Sequence, residues 1–249
     1  MPNLVFCLNV YAEHQLLPDC IQSIRSNTPA GTKIVGVDGA YRVFVEQAKI
    51  EAAEAIKARN GILADSFLRF TSPASNDGTL EILRAQADII VECHKNAEGN
   101  PIPWENEYVK RSQYFKGSPG DVYIVLDADE RIITSKQITI DNVLAELGQS
   151  DHGCIMLKRD DGIPSYPIMR IHKHFDGMRY EGAHHALWVN DQLIKKDDLV
   201  DSGIIVKGFS LHHRWTERAE SDRVRHITKG RYYNKLMDSE GSFRTKHKI

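Results

Sequence analysis

Three features of this 249-residue sequence point to an α/β protein, with a mostly parallel sheet flanked by helices, then a small mixed β layer and a C-terminal helix. Short apolar runs alternate with amphipathic segments through the first half, which is the pattern of βα units. The run Val122 to Leu126 lacks any charged residue, as a strand buried on both faces requires. After Leu147 the spacing changes to several short strand-like segments, which predict the second layer.

Residues 3–10 form the first strand, and Glu13 to Asn27 follow with Leu17, Ile21 and Ile24 at helical spacing. Pro18 fits the opening turn of that helix. Lys33 to Val37 is a second strand, ended by Asp38-Gly39. Phe44 to Arg59 predicts a helix rich in Ala, Glu and Lys, closed by Asn60-Gly61. Asn76-Asp77-Gly78-Thr79 opens another helix, and Ala87 to Val91 is a third strand. Pro103 to Phe115 predicts one helix with Trp104, Tyr108, Arg111 and Phe115 roughly on one face, and a turn at Gly117 to Gly120 leads into strand 122–126. Beyond Leu147, Gly153 to Lys158, Tyr166 to His174, Ala186 to Val189 and Ile204 to Val206 are short strands, and Glu220 to Met237 is the final helix. With no repeat and no low-complexity linker, residues 1–249 read as one domain, 1–130 and 131–249 being its two halves.

An apolar content of 41% and a charged content of 27% exclude a disordered chain. No stretch approaches the roughly 18 apolar residues of a membrane span. The start of the chain enters a strand without a basic leader, so no signal peptide is expected. Cys7, Cys20, Cys93 and Cys154 match no paired zinc spacing and read as buried thiols of a reducing, cytoplasmic compartment. A net charge of −2 gives no general case for nucleic-acid binding. The segment from Thr216 onward is more basic, with nine Lys or Arg against five acids; such a tail can touch phosphates, and a solvated helix with a frayed end is the favoured reading.

The chemistry concentrates at Asp127-Ala128-Asp129-Glu130, where an apolar strand ends in three carboxylates. A strand interior cannot hold unpaired charge, so these acids belong where the strand leaves the sheet. That carboxyl edge is where open α/β sheets bind ligands. Two aspartates one residue apart can share a divalent cation that holds a phosphate or diphosphate.

With these elements placed, the sequence resembles the GT-A-fold nucleotide-sugar glycosyltransferases, particularly family 2 and its relatives. Leu8-Asn9-Val10-Tyr11-Ala12-Glu13, with Leu16 to Ile24 after it, resembles that family's first strand, loop and helix. Val37-Asp38-Gly39 resembles its second strand edge, and Asn76-Asp77-Gly78-Thr79 the continuation of that motif, here separated by an intervening helix and loop. Asp127-Ala128-Asp129 stands at the family's Asp-x-Asp. The likeness covers about residues 4–130 and continues loosely to His213. It implies a GT-A-like, Rossmann-related sheet, a donor-nucleotide half (1–130) and an acceptor half (131–249).

The resemblance implies donor contacts from Asn9, Tyr11, Glu13, Asp38, Arg111 and Asp127, and metal contacts from Asp127, Asp129 and His212, the ion being Mn2+ or Mg2+. Asp38 has an alternative as a turn-forming acid before Gly39, and Asn76 and Asp77 as helix caps. Relatives commonly carry Asn after the basic residue matched by Arg111, and Ser112 departs from that pattern. Lys110 reads as solvated. Leu211-His212-His213-Arg214-Trp215 resembles a segment that returns a histidine to the metal, and Arg179 to His185 resembles an acceptor-side segment. Adjacent histidines on a strand face opposite ways, so one of each pair has another task. His212 is favoured as ligand and His184 near the acceptor or leaving phosphate, with His213 and His185 as the alternates.

The implied reaction moves a sugar from a nucleoside diphosphate, UDP favoured, to a hydroxyl of a glycan, a small molecule or modified DNA. An inverting enzyme needs a carboxylate base. Asp160, Asp161 and Glu181 are candidates, with Asp161 ahead of Glu181 and Asp160 a solvated neighbour. A retaining enzyme can use the leaving phosphate instead. Trp188, Trp215, Tyr232 and Tyr233 can stack on a sugar or base or simply pack in the core. Two other readings stand beside this one. A nucleotidyltransferase would use the same aspartates on a nucleoside triphosphate, but the sequence lacks a Gly-rich phosphate cradle after the first strand. A non-catalytic nucleotide-sugar-binding protein would bind without transfer.

Overall fold

The computed structural model describes residues 3–116, 120–181, 186–189, 192–194 and 204–218. The expected final helix at Glu220 to Met237 lies outside them, as do most of the expected turn at Gly117 to Gly120 and His184 with His185.

Among the described residues, eleven strands and seven α-helices run as β1 (Leu4–Val10), α1 (Leu17–Asn27), β2 (Lys33–Asp38), α2 (Arg42–Lys57), α3 (Gly61–Leu68), α4 (Thr79–Gln86), β3 (Ile89–Val91), α5 (Glu107–Arg111), α6 (Gln113–Lys116) and β4 (Val122–Asp127). There follow β5 (Glu130–Thr134), α7 (Ile140–Leu147), β6 (His152–Arg159), β7 (Tyr166–Lys173), β8 (Arg179–Glu181), β9 (Ala186–Val189), β10 (Gln192–Ile194) and β11 (Ile204–His213). Eight strands share one sheet in the order β3-β2-β1-β4-β7-β6-β11-β5. The first four are mutually parallel, and β7 and β5 run against their neighbours. Strands from both halves of the chain therefore belong to one sheet.

β1 sits inside this sheet and is covered on both sides. Leu4, Phe6, Leu8 and Val10 pack into one core with Ile21 and Ile24 of α1 and Leu83 of α4. Val5 and Cys7 face the other way, into a core with Trp104, Tyr114, Tyr123 and Tyr180. Alternate side chains on opposite faces, both buried, are why the strand reads as an unbroken apolar run.

Register sets the working edge. Val10 lies opposite Asp38 and Asn9 opposite Asp127, so β1, β2 and β4 end level with one another. β4 and β5 are joined by Ala128 and Asp129 alone, yet β7, β6 and β11 separate them in the sheet. Four strand spacings make about 19 Å across a flat sheet, and a two-residue link spans at most about 10 Å. The sheet must curl on itself, giving a mixed, loosely Rossmann-like half-barrel. The curl brings the end of β11 back to the acids after β4, with His213 opposite Glu130.

Several elements differ from expectation. β6, β7 and β11 join the main sheet, and a separate antiparallel layer is formed by β8, β9 and β10. The helix expected at Pro103 to Phe115 is two short helices. Its first four residues stay outside because Asn106 caps α5, accepting from the Val109 amide at 2.9 Å. Asn60-Gly61, read as a helix end, also opens α3, with the Asn60 side chain accepting from Leu63 N at 3.3 Å.

Candidate functional site

At the level ends of β1, β2 and β4 lies a cleft of about 310 Å3. Its first wall is the loop after β1. Ala12 there holds a left-handed backbone (φ 55°), and the loop is fixed from outside by the segment before α4. Ala12 N donates to Ser75 Oγ at 2.9 Å, Glu13 N to Thr79 Oγ1 at 2.8 Å, and Tyr11 OH to the Ser72 carbonyl at 2.6 Å. This segment therefore shapes the cleft without lining it.

The floor comes from β2 and α5. Lys110 is 1% exposed, and its ammonium donates to the Val10 and Gly39 carbonyls at 2.7 and 2.6 Å. It ties the ends of β1 and β2 together. Tyr41 and Phe44 add aromatic walls beside Tyr11.

The far wall carries the charge. Asp127 accepts from Arg111 at 2.9 Å and from Arg170 at 2.8 Å, one on each carboxylate oxygen, and Arg111 is steadied by Glu107 at 2.8 Å. Glu130 folds back to accept the Asp127 amide at 2.9 Å and Arg170 at 2.6 Å. Asp129 Oδ2 lies 3.0 Å from His213 Nε2 and accepts from Arg218 Nη2 at 2.7 Å. Burial would raise the Asp127 carboxyl, but Arg170 and Arg111 outweigh it and hold the group below the usual carboxylate range. Burial pushes Glu130 up to about 7, against Arg170 and with help from Asp127 and Asp129. For His213 burial is outweighed by its hydrogen bond to Asp129, which raises the imidazole above its ordinary value.

The structure brings Asn9, Tyr11, Glu13, Arg111, Asp127 and Asp129 to this cleft. The described residues among the other expectations sit differently from their expected places. His213, not His212, turns to Asp129; the two alternate along β11, and the strand's last residue faces the site. Asp38 is fully buried and accepts from Ser75 N at 3.0 Å and from its hydroxyl, so the backbone after it, not its carboxylate, meets the cleft. Asp161 is clamped by Arg159, whose hydrogen bond draws its carboxyl down to about 2, and it does not line the cleft. Glu181 ends β8 and is not a lining residue either, and His184 lies outside the described residues. Lys110 is buried, not solvated.

Sequence reasoning gave no role to Tyr41, Arg170 or Arg218, and none to Glu130 beyond its place among the three carboxylates. Only the basic bias after Thr216 pointed toward Arg218. A second cavity of about 100 Å3 adjoins at Asp127 and Arg111, walled by Met169, Arg170 and Tyr180.

Among the described residues no group of three or more His, Cys, Asp or Glu side chains is placed to hold a metal by itself. Asp129 and His213, which share a hydrogen bond here, could serve as two ligands only once Arg218 leaves Asp129 Oδ2. Neighbouring ligands about 2.1 Å from an octahedral ion stand about 3.0 Å apart, and Asp129 Oδ2 and His213 Nε2 are separated by 3.0 Å. One carboxylate with one imidazole suits Mn2+ better than Mg2+. Asp127 carries one guanidinium on each oxygen, which leaves a second lone pair on each for an ion or an ion-bound water. The remaining positions would fall to the bound substrate and water.

The sequence matches no family model and no curated protein. Solved structures overlap with it loosely. S. aureus TarS 1–349 is 13% identical with a TM-score of 0.40, over 72% of this chain and 41% of that one. The same TarS fragment in complex with UDP-GlcNAc gives 14% and 0.39, over 65% and 36%. Glucosyl-3-phosphoglycerate synthase from Mycobacterium tuberculosis, in complex with Mn2+, UDP and glucosyl-3-phosphoglycerate, gives 12% and 0.38, over 65% and 45%. The chain spans less than half the length of each of these proteins. Overlap this loose assigns neither a fold family nor an activity. No helix among the described residues is long and apolar enough to cross a membrane.

Proposed function

We propose that the protein is a GT-A-like, metal-dependent glycosyltransferase that moves a sugar from a nucleoside diphosphate sugar, UDP favoured, to a hydroxyl acceptor. One observation carries this reading. Asp127-Ala128-Asp129 leaves an inner parallel strand at the sheet's carboxyl edge, and its acids face a cleft with aromatic walls at one side and guanidinium groups at the other. A base needs flat apolar faces and a few polar partners. Tyr11, Tyr41 and Phe44 supply the faces, and the buried Asn9 Oδ1, with no partner among the described residues, suits a base N–H. A diphosphate needs forked donors, and Arg111 and Arg218 are within the same cleft.

Asp129 and His213 would hold Mn2+, which when bound neutralises charge on the departing diphosphate. Arg111 and Arg170 keep Asp127 ionised, so it can orient the donor's hydroxyls or a metal-bound water. The acceptor would enter through the smaller cavity, where Met169 and Tyr180 offer apolar surface next to Asp127. An inverting route gives a product of opposite anomeric configuration, and a retaining route keeps it. Anomeric analysis of the product chooses between them.

The test is calorimetry with UDP-, GDP- and TDP-sugars, with and without Mn2+, on wild type and Asp129→Asn. Mn2+-dependent binding of a UDP-sugar, absent from a variant that still melts cooperatively, is the expected result. A folded wild-type protein that binds no sugar nucleotide in Mn2+ would end this reading.

A further inference from the structure

Arg218 bridges the two walls of the cleft. Its Nη1 and Nη2 donate to Glu13 Oε2 and Oε1, both at 3.0 Å, while Nε and Nη2 donate to Asp129 Oδ2 at 3.2 and 2.7 Å. Glu13 belongs to the loop after β1 and Asp129 to the turn after β4. The side chain is 2% exposed, so a full positive charge is committed inside the site. The backbone that delivers it is anchored independently. The Thr216 amide and hydroxyl bind Asp160, Arg214 N donates to the Asp129 carbonyl at 3.0 Å, and the Arg214 side chain reaches Asp19 at 3.0 Å.

The crowding is at one oxygen. Asp129 Oδ2 receives Arg218 through two nitrogens and stands 3.0 Å from His213 Nε2. A carboxylate oxygen has two lone pairs. With a guanidinium on Oδ2, an ion that also ligates His213 cannot take that oxygen, and two cations side by side in a buried cleft repel strongly.

We propose that Arg218 is the resident counter-cation of the Asp129 site, that it and a divalent ion occupy Asp129 in mutual exclusion, and that its release hands a guanidinium to the donor diphosphate. The inference rests on the reading of the cleft as a diphosphate-sugar site. Two consequences distinguish it from a fixed structural arginine. The nucleotide-free protein binds divalent ions weakly, because only the fraction with Arg218 displaced is competent. Ion and nucleoside diphosphate bind cooperatively, because the diphosphate gives the displaced guanidinium a new partner.

The experiment measures Mn2+ binding to nucleotide-free protein, by calorimetry and by the EPR signal of free Mn2+. Arg218→Gln is expected to bind Mn2+ about tenfold more tightly or better. Glu13→Gln, which loosens Arg218 without touching Asp129, is expected to tighten it by a smaller factor. Asp129→Asn removes the binding in every background. Under saturating Mn2+, Arg218→Gln is expected to weaken UDP binding, and Arg218→Lys to weaken it less. Unchanged or weaker Mn2+ affinity in Arg218→Gln overturns the proposal. Should that variant fail to fold, unchanged affinity in Glu13→Gln overturns it equally. UDP-sugar binding in EDTA, with no Mn2+ binding to any variant, removes the exchange and leaves the donor reading standing. Mn2+ exchange at Asp129 without binding of any sugar nucleotide supports the exchange itself while the donor reading fails.

Discussion

Replacing Lys110 by Met separates a scaffold from a phosphate ligand. Met matches the length of the lysine stem but offers no N–H, so the Val10 and Gly39 carbonyls lose donors at 2.7 and 2.6 Å. Hydrogen bonds from a charged donor contribute about 1.5–3 kcal/mol each. Removing a buried ammonium returns part of that as relieved desolvation. The buried Asp38 carboxyl, which burial raises and Lys110 lowers, loses its nearest compensating charge and adds to the cost. A net loss of about 3 kcal/mol follows, or about 6–12 °C in Tm for a chain of this size. Urea unfolding followed by circular dichroism measures the first quantity, and calorimetry with a UDP-sugar the second. Donor affinity should fall only about tenfold, through misplacement of the loops after β1 and β2. A stability loss below about 1 kcal/mol with a hundredfold loss of donor affinity would refute the scaffold role and put the ammonium on the diphosphate.

Three other substitutions test the scaffold, one beside the cleft and two at the opposite edge of the sheet. Gly39→Ala places a Cβ 2.9 Å from Trp104 Nε1 and 3.1 Å from Cys93 Cβ, on a backbone at φ +115°. A loss of about 2–4 kcal/mol is expected in urea melts, combining overpacking with the left-handed strain. Asp88 accepts Arg25 and the Ile34 amide at 2.8 Å each, and these outweigh burial to lower its carboxyl. A depressed acid stabilises above its unfolded pKa and stops doing so as pH falls through the folded value. Asp88→Asn should therefore cost about 0.5–1 kcal/mol at pH 7 and progressively less as pH falls below the ordinary carboxylate range. His172 is fully buried between His152 and Tyr180, and burial holds its imidazole well below its ordinary value. A depressed histidine stabilises above its unfolded pKa, so the His172 contribution should fall as pH drops below about 6.5, opposite in sign to that of Glu130. His172→Phe should flatten that limb in urea melts from pH 5 to 7.5.

The strands that frame the cleft were legible because both their faces are covered, so β1 and β4 show as apolar runs with no ambiguity of period. Asp127 and Asp129 were legible for a related reason, since charge at the end of such a run must leave the sheet. The choice between His212 and His213 was not. It depends on the register of β11 against β6, and that register shifts between Val206 and Ser210. Alternation counted from Ile204 to Val206 therefore does not carry through to the histidines. Lys110 was misread because lysine is almost never buried without a partner, and its partners are backbone carbonyls that leave no trace in sequence. Arg218 meets Glu13 across 205 residues, a distance over which no local pattern operates. Asp38 failed for a subtler reason. Gly39 N and Ala40 N bond to the Val10 and Pro73 carbonyls at 3.2 and 2.8 Å, which turns backbone into the cleft where a carboxylate was expected.

The charge arrangement that sequence could not supply also determines how a ligand must enter. Glu13 is matched by Arg218, Glu107 by Arg111, Asp127 by Arg111 and Arg170, and Asp129 by Arg218 and His213. A cleft balanced in this way exerts little net pull on a diphosphate. Desolvating such an anion is costly unless new countercharge meets it. That countercharge can come from an ion brought with the nucleotide, from an arginine released by that ion, or from both. In the proposed exchange the two sources are coupled, because an ion at Asp129 holds the site once Arg218 has left it. Nucleotide affinity should then depend on Mn2+ more steeply than direct metal–phosphate contact alone would produce. Arg218→Gln should reduce that dependence, since the ion would no longer free a guanidinium.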